Sequence, residues 1–130
     1  MNDMNNFDVP PAFINVLVIV TPNADGNGNA DDGLYTVTTI PTLVKVTRPN
    51  TIINYQLIPP TPAAMQFAGM KHEPSKGVPQ LSSSTISLDG QMLTVIDLNS
   101  DPEEVAVTLL INTGGGNIMH DPQIQNTPEG

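Results

Sequence analysis

The chain has 130 residues, 38% of them hydrophobic, and no cysteine, which is enough to bury one apolar core and excludes disulfides, thiolate metal sites and a cysteine nucleophile. Four basic against thirteen acidic residues give a formal charge of −9; such a chain repels phosphates and anionic lipid head groups, so neither nucleic acid nor a membrane is an expected partner. Only 13% of the residues are charged, while prolines number 13 and glycines 10, a balance that suits short strands and turns and disfavours long helices.

Residues 1–11 contain no Lys or Arg, so they lack the positive region of a signal peptide and read as a flexible N-terminal segment. The apolar run Ala12 to Val20 is interrupted by Asn15 and falls far short of the ~20 residues that cross a bilayer. A cytoplasmic location is expected. Phe13 to Val20 is β-branched, ends at Thr21-Pro22 and reads as a central strand. The loop Asn23 to Gly33 follows, then strands over Leu34 to Ile40 and Leu43 to Thr47, separated by Pro41, which cannot donate to a ladder.

Thr51 to Ile58 alternates, with Ile53, Tyr55 and Leu57 on one face and Asn54 and Gln56 on the other. Pro59-Pro60-Thr61-Pro62 then leaves the sheet, and Met65 to Met70 is a weak apolar piece compatible with a short helical turn. The clearest local signal is Ser84 to Leu88, Asp89-Gly90, Gln91 to Ile96, which predicts a hairpin closed by a two-residue turn. Val105 to Ile111 and Asn117 to His120 supply the last strands before a polar tail. The domain is placed at 12–120 and the C-terminal motif and tail at 121–130. The expected fold is an all-β, single-domain antiparallel β-sandwich, immunoglobulin-like in architecture, with Pro-rich loops.

Chemistry-bearing patterns are few. Asp25 to Asp32 spaces side-chain oxygens two residues apart as a calcium loop does, but Ala30 replaces the turn glycine and Thr36 the closing glutamate, so a solvated hairpin loop is the plainer reading. His72-Glu73 and His120-Asp121 have no ligand-like partner at strand spacing, and no metal or cofactor is assigned. Ser82-Ser83-Ser84 lacks a nucleophile elbow, and Gly114-Gly115-Gly116 lacks the Lys that would complete a phosphate cradle. Carboxylates remain. With the hairpin in register, Leu88 faces Gln91, Ile86 faces Leu93 and Ser84 faces Val95, so Asp97 shares the apolar face, unless a strand end or bulge returns it to water, which is the plainer reading. A carboxyl desolvated there has a raised pKa, and two brought together share a proton, the working state of an aspartic peptidase.

The C-terminal run His120-Asp121-Pro122-Gln123-Ile124-Gln125-Asn126-Thr127-Pro128-Glu129 resembles the closing motif of the small bacterial DP-EP family. Phe13 to Val18, Thr51 to Leu57 and Gln80 to Ser83 are similar to it as well. Thr127 departs from the glutamate of the family name, and the Asp-Thr-Gly or Asp-Ser-Gly triplet of pepsin-like enzymes is absent. The resemblance implies a compact β-sandwich for which an aspartic-peptidase-like, self-cleaving activity has been proposed. The leading expectation is therefore a peptidase with Asp97 as the buried carboxyl and Asp121 as its partner or as the cleavage site. Its substrate would be a peptide or its own C-terminal segment. The competing expectation is a non-enzymatic sandwich that forms homo-oligomers or binds a ligand, with the Pro-rich tail blunting a neighbouring sheet edge. Calcium binding at Asp25 to Asp32 is a third.

Overall fold

The computed structural model describes residues 12–128; the segment 1–11 read as flexible lies outside them. The described residues form β1 (Phe13–Pro22), β2 (Tyr35–Ile40), β3 (Leu43–Val46), β4 (Thr51–Leu57), β5 (Gln66–Pro74), β6 (Thr85–Ile86), β7 (Met92–Asp97), β8 (Glu103–Asn112), β9 (Asn117–His120) and β10 (Gln123–Asn126). One sheet, sheet A, has the order β2-β1-β4-β7-β6; the other, sheet B, has β3-β10-β8-β5, with β9 also paired to β8. The two-sheet, all-β architecture agrees with the expectation, but the sheets are mixed rather than antiparallel. β1 runs parallel to β4 and β3 parallel to β10. The chain leaves sheet A at Pro41, forms β3 in sheet B and returns as β4 beside β1, and such a crossover is what parallel neighbours require.

Alternation fixes which side chains enter the core. Val16, Val18 and Val20 of β1, Ile53 and Tyr55 of β4, and Leu93 and Val95 of β7 are buried and share the inner face of sheet A. Opposite them stand Val105, Val107, Leu109 and Ile111 of β8 with Ile124 of β10 and Val44 and Val46 of β3. Burying each such side chain contributes about 1.5–3 kcal/mol, and together they fix the register of every central strand, because a slip of one residue would turn the whole set outward.

Three local expectations need correction. The hairpin register holds, with Ile86 opposite Leu93 and Thr85 opposite Thr94, but the turn is longer than two residues. The Gly90 N–H donates to the Ser87 carbonyl at 2.9 Å and the Ser87 N–H to the Met92 carbonyl at 3.0 Å. Only Gly90, at φ 72°, takes the left-handed conformation, and Leu88 projects fully into solvent rather than joining the core. Second, the weak apolar piece around Met65 to Met70 contains no helical turn; it leads into β5, a sheet-edge strand whose one deeply buried side chain is Phe67. A register irregularity between Phe67 and Gly69 breaks its alternation, so the period of two is absent from its sequence.

Third, the C-terminal stretch read as a tail supplies an interior strand of sheet B. β9 and β10 pair with successive parts of β8 in one unbroken register, His120 opposite Leu109 and Gln123 opposite Ala106. Asp121-Pro122 thus interrupts a single long strand without shifting it. Pro122 cannot donate to the ladder, yet its carbonyl still accepts from the Val107 N–H at 3.3 Å.

Candidate functional site

Asp97 closes β7 on the inner face of sheet A and is fully buried. Its Oδ1 accepts from the Asn126 side-chain amide at 2.9 Å and from the Asn99 backbone N–H at 2.9 Å. The same Asn126 amide donates to Gln80 Oε1 at 3.1 Å, which also accepts from the Ser100 N–H at 2.9 Å. Glu103 lies opposite Asn126 on β8, is buried, and accepts from the Lys76 N–H at 3.1 Å. A polar joint therefore ties β7 of sheet A to β8 and β10 of sheet B inside an otherwise apolar core.

Burial pushes the Asp97 pKa up; the bonds donated by Asn126 and Asn99 pull it partly back, and the charge of Glu103 adds the smallest influence, upward. Burial first and the Asp97 charge second also raise the Tyr55 phenol above its ordinary value. Five buried atoms of this neighbourhood have no partner: Asp97 Oδ2, Glu103 Oε2, Asn99 Oδ1, Asn126 Oδ1 and the Tyr55 hydroxyl. Four are acceptors and only Tyr55 brings an O–H, so the group is short of protons. Protonating Asp97 adds a second donor and removes a buried charge, two gains that both favour the neutral acid.

Asp121, the other candidate carboxyl, is exposed and accepts from the Thr108 hydroxyl at 2.9 Å. The structure does not bring it to Asp97. Five residues of extended strand, about 16 Å, separate Asp121 from Asn126, whose amide touches Asp97. The carboxylate whose charge bears on Asp97 is Glu103, with no hydrogen bond between the two. His120, next to Asp121, is half-buried, and that burial lowers its pKa while the Asp121 charge opposes the shift. Both residues border a surface cavity of ≈ 610 Å³ that also reaches Thr42 and Leu43.

The Asp25 to Asp32 loop folds on itself, with the Gly28 N–H donating to the Gly33 carbonyl at 2.8 Å and Asp25 Oδ1 accepting from the Asn27 N–H at 3.1 Å. Asp31 and Asp32 are exposed at positive φ and line, with Asp121 and Met119, a second cavity of ≈ 470 Å³. Among the described residues no group of three or more Asp, Glu or His is placed to hold a metal ion, and no helix is long and apolar enough to cross a membrane.

The outer faces of the two sheets differ in kind. On sheet B, Lys45, Lys71, Glu73 and Glu104 stand exposed among Gln123, Thr108 and the exposed apolar Leu43 and Met119, so this face carries charge. On sheet A, one row across the strands reads Phe13, Ile52, Ile96; the next reads Asn15, Asn54, Thr94; the third reads Ile40, Leu17, Gln56, Met92. No described residue of these rows is charged. Phe13 is 60% exposed, Ile40 50%, Ile96 44% and Met92 40%. The amide row is internally bonded, Asn54 donating to Asn15 Oδ1 at 3.0 Å and accepting from the Thr94 hydroxyl at 2.8 Å.

The model of the DP-EP family matches residues 14–128, nearly the whole described chain, and the protein belongs to that family. No curated protein matches the chain. Within the motif, Asn126 and not Asp121 reaches the buried cluster, while Thr127, where the family name suggests glutamate, is exposed and bonds to the Val46 carbonyl through its N–H at 2.8 Å and its hydroxyl at 3.2 Å. Sequence reasoning overlooked Gln80, Asn99, Glu103 and Asn126. For two of them the signal was available: Glu103 shares strand parity with Val105, Val107 and Leu109, and Asn126 with Ile124, the same argument that turned Asp97 inward.

Proposed function

We propose that this DP-EP protein is a non-enzymatic contact module, cytoplasmic in location, that works by laying the outer face of sheet A against another protein surface. The observation that carries the reading is the uncharged, partly apolar face of sheet A on a chain of charge −9. Phe13, Ile40, Ile96 and Met92 stand exposed around a buried central Asn54, and exposed apolar groups gathered on an uncharged face mark interaction sites in soluble proteins. The buried cluster then serves stability, since Asp97 is enclosed by its own C-terminal strand and a substrate peptide would have to open the sandwich to reach it.

A second reading, an acid peptidase, draws on the raised pKa of Asp97 beside Glu103, because neighbouring carboxyls that share a proton can activate water. Intact mass followed over days between mildly acidic and neutral pH separates the two. The contact module stays whole while folded. Unfolded chain is cut at both acid-labile Asp-Pro bonds, Asp101-Pro102 and Asp121-Pro122. A single cut under native conditions, with a bell-shaped pH dependence and lost in a folded Asp97→Asn variant, overturns the contact reading.

A further inference from the structure

The surface that the contact reading depends on is also its own complement. Its middle row is amide and hydroxyl, Asn15, Asn54 and Thr94, and both flanking rows are largely apolar. A two-fold axis lying in the plane of contact, either along β4 or across it, lays the middle row of one copy on that of the other and keeps apolar rows on apolar rows. Isologous interfaces require such self-complementarity. From this arrangement we infer that the occupant of the face is a second copy of this chain, stacked sheet on sheet as in a sandwich interior, with the sheets about 10 Å apart.

Charge selects the same partner. A charged ligand gains no ion pair on rows that carry no described Asp, Glu, Lys or Arg, and an acidic surface would be repelled by the chain as a whole. Two copies bury no charge when these faces meet. Their only electrostatic penalty is the long-range repulsion between two bodies of charge −9, which salt screens over about 8–10 Å.

Size sets the strength. Three residue rows about 6.7 Å apart, spanning at most four strands about 4.8 Å apart, make a plate of no more than roughly 390 Å² in projection. That is well below the roughly 800 Å² per partner of a standard interface and in the range of weak, transient contacts. The dimer is therefore reversible and concentration-dependent. Phe13, Ile40, Ile96 and Met92 are the exposed apolar groups that gain most from closure.

Analytical ultracentrifugation of the full chain, from micromolar to millimolar concentration and at low and high salt, tests this inference. The expected result is a monomer–dimer equilibrium that tightens as salt rises, at least tenfold weaker in Ile96→Lys and unchanged in Gln123→Lys on the outer face of sheet B. Circular dichroism of Ile96→Lys confirms its fold; if that variant is unfolded, Met92→Lys on the same face replaces it. A monomer at every concentration and salt overturns the dimer, as does a dimer that Ile96→Lys and Met92→Lys both leave intact or that Gln123→Lys breaks. The inference rests on the contact reading, yet the two fail separately. A strict monomer removes only the second copy as occupant, whereas native cleavage in the mass experiment removes the contact reading whatever the association state.

Discussion

The two ends of the last strand hold carboxyls in opposite conditions. Beyond its C-terminal end Asp97 is fully buried, held by Asn126 and Asn99, with a raised pKa and one oxygen unpartnered. Just before its start Asp121 is exposed and takes one bond from Thr108. One residue type, separated by about 16 Å of strand, is in one place part of the core and in the other part of the surface. The lesson is that the readable motif and the energetic weight do not coincide: Asp121-Pro122 is the more recognisable, and Asn126 is what connects the strand to the interior.

The largest expected effect comes from breaking the buried end. Asp97→Ala removes the acceptor for both the Asn126 amide and the Asn99 N–H in a site sealed from water, and unmet buried donors cost about 1–3 kcal/mol each. Urea unfolding should show a loss of about 2–4 kcal/mol. A loss under about 0.5 kcal/mol would show that the cluster bears no weight and that the contrast between the two ends is only one of exposure. Gly90→Val acts on the hairpin that aims β7: at φ 72° a side chain is strained, and its Cβ would lie 2.6 Å from Gln66. A cost of about 1–2 kcal/mol is expected in the same assay, and an unchanged midpoint would mean that the turn does not set the hairpin.

A subtler change sharpens the comparison through pH. Because the folded-state pKa of Asp97 lies above the unfolded value, the folded chain binds more protons in the window between them. Its contribution to stability is complete below the unfolded pKa, about 3.9, and is lost as pH rises through the raised folded value. Asp97→Asn keeps the two bonds to Oδ1 and places an N–H where the protonated acid would donate, so that loss should vanish. Urea midpoints of parent and variant measured across acidic pH should converge at the low end and separate upward, with the variant the more stable. Parallel curves would show that Asp97 titrates as an ordinary surface carboxyl.

How much of this was legible follows from what each feature depends on. The inward direction of Asp97 was readable because strand parity is local and the hairpin register pins it. The mixed pairing was not, since parallel neighbours arise from where Pro41 sends the chain, and nothing local in β1 or β4 records that route. Asp121 illustrates the opposite failure. The motif drew attention to it, whereas its distance from Asp97 depends on β9 and β10 forming one continuous line along β8. Glu103 and Asn126 had the same parity signal as Asp97 but lie outside the strands read from the sequence, Glu103 just before Val105 and Asn126 in the C-terminal tail.

The smallest expected effect is at the exposed end. Asp121→Asn retains an oxygen for the Thr108 hydroxyl and relieves no burial, so stability should change by no more than about 0.5 kcal/mol. Its signature lies instead in His120, whose pKa is lowered by burial and partly restored by the Asp121 charge. Removing that charge takes away the opposing influence, so the His120 imidazole should titrate at still lower pH when its ring protons are followed by NMR. The sign for stability follows: a histidine held neutral by folding contributes stability above its unfolded pKa of about 6.5, and this is lost as pH falls through the folded value. Asp121→Asn moves that loss to lower pH without touching the region governed by Asp97. If His120 does not move, the neighbouring charge is too well solvated to reach it. If the variant instead reproduces the pH profile of Asp97→Asn, the two ends of the strand are coupled through β10, and the separation drawn between them fails.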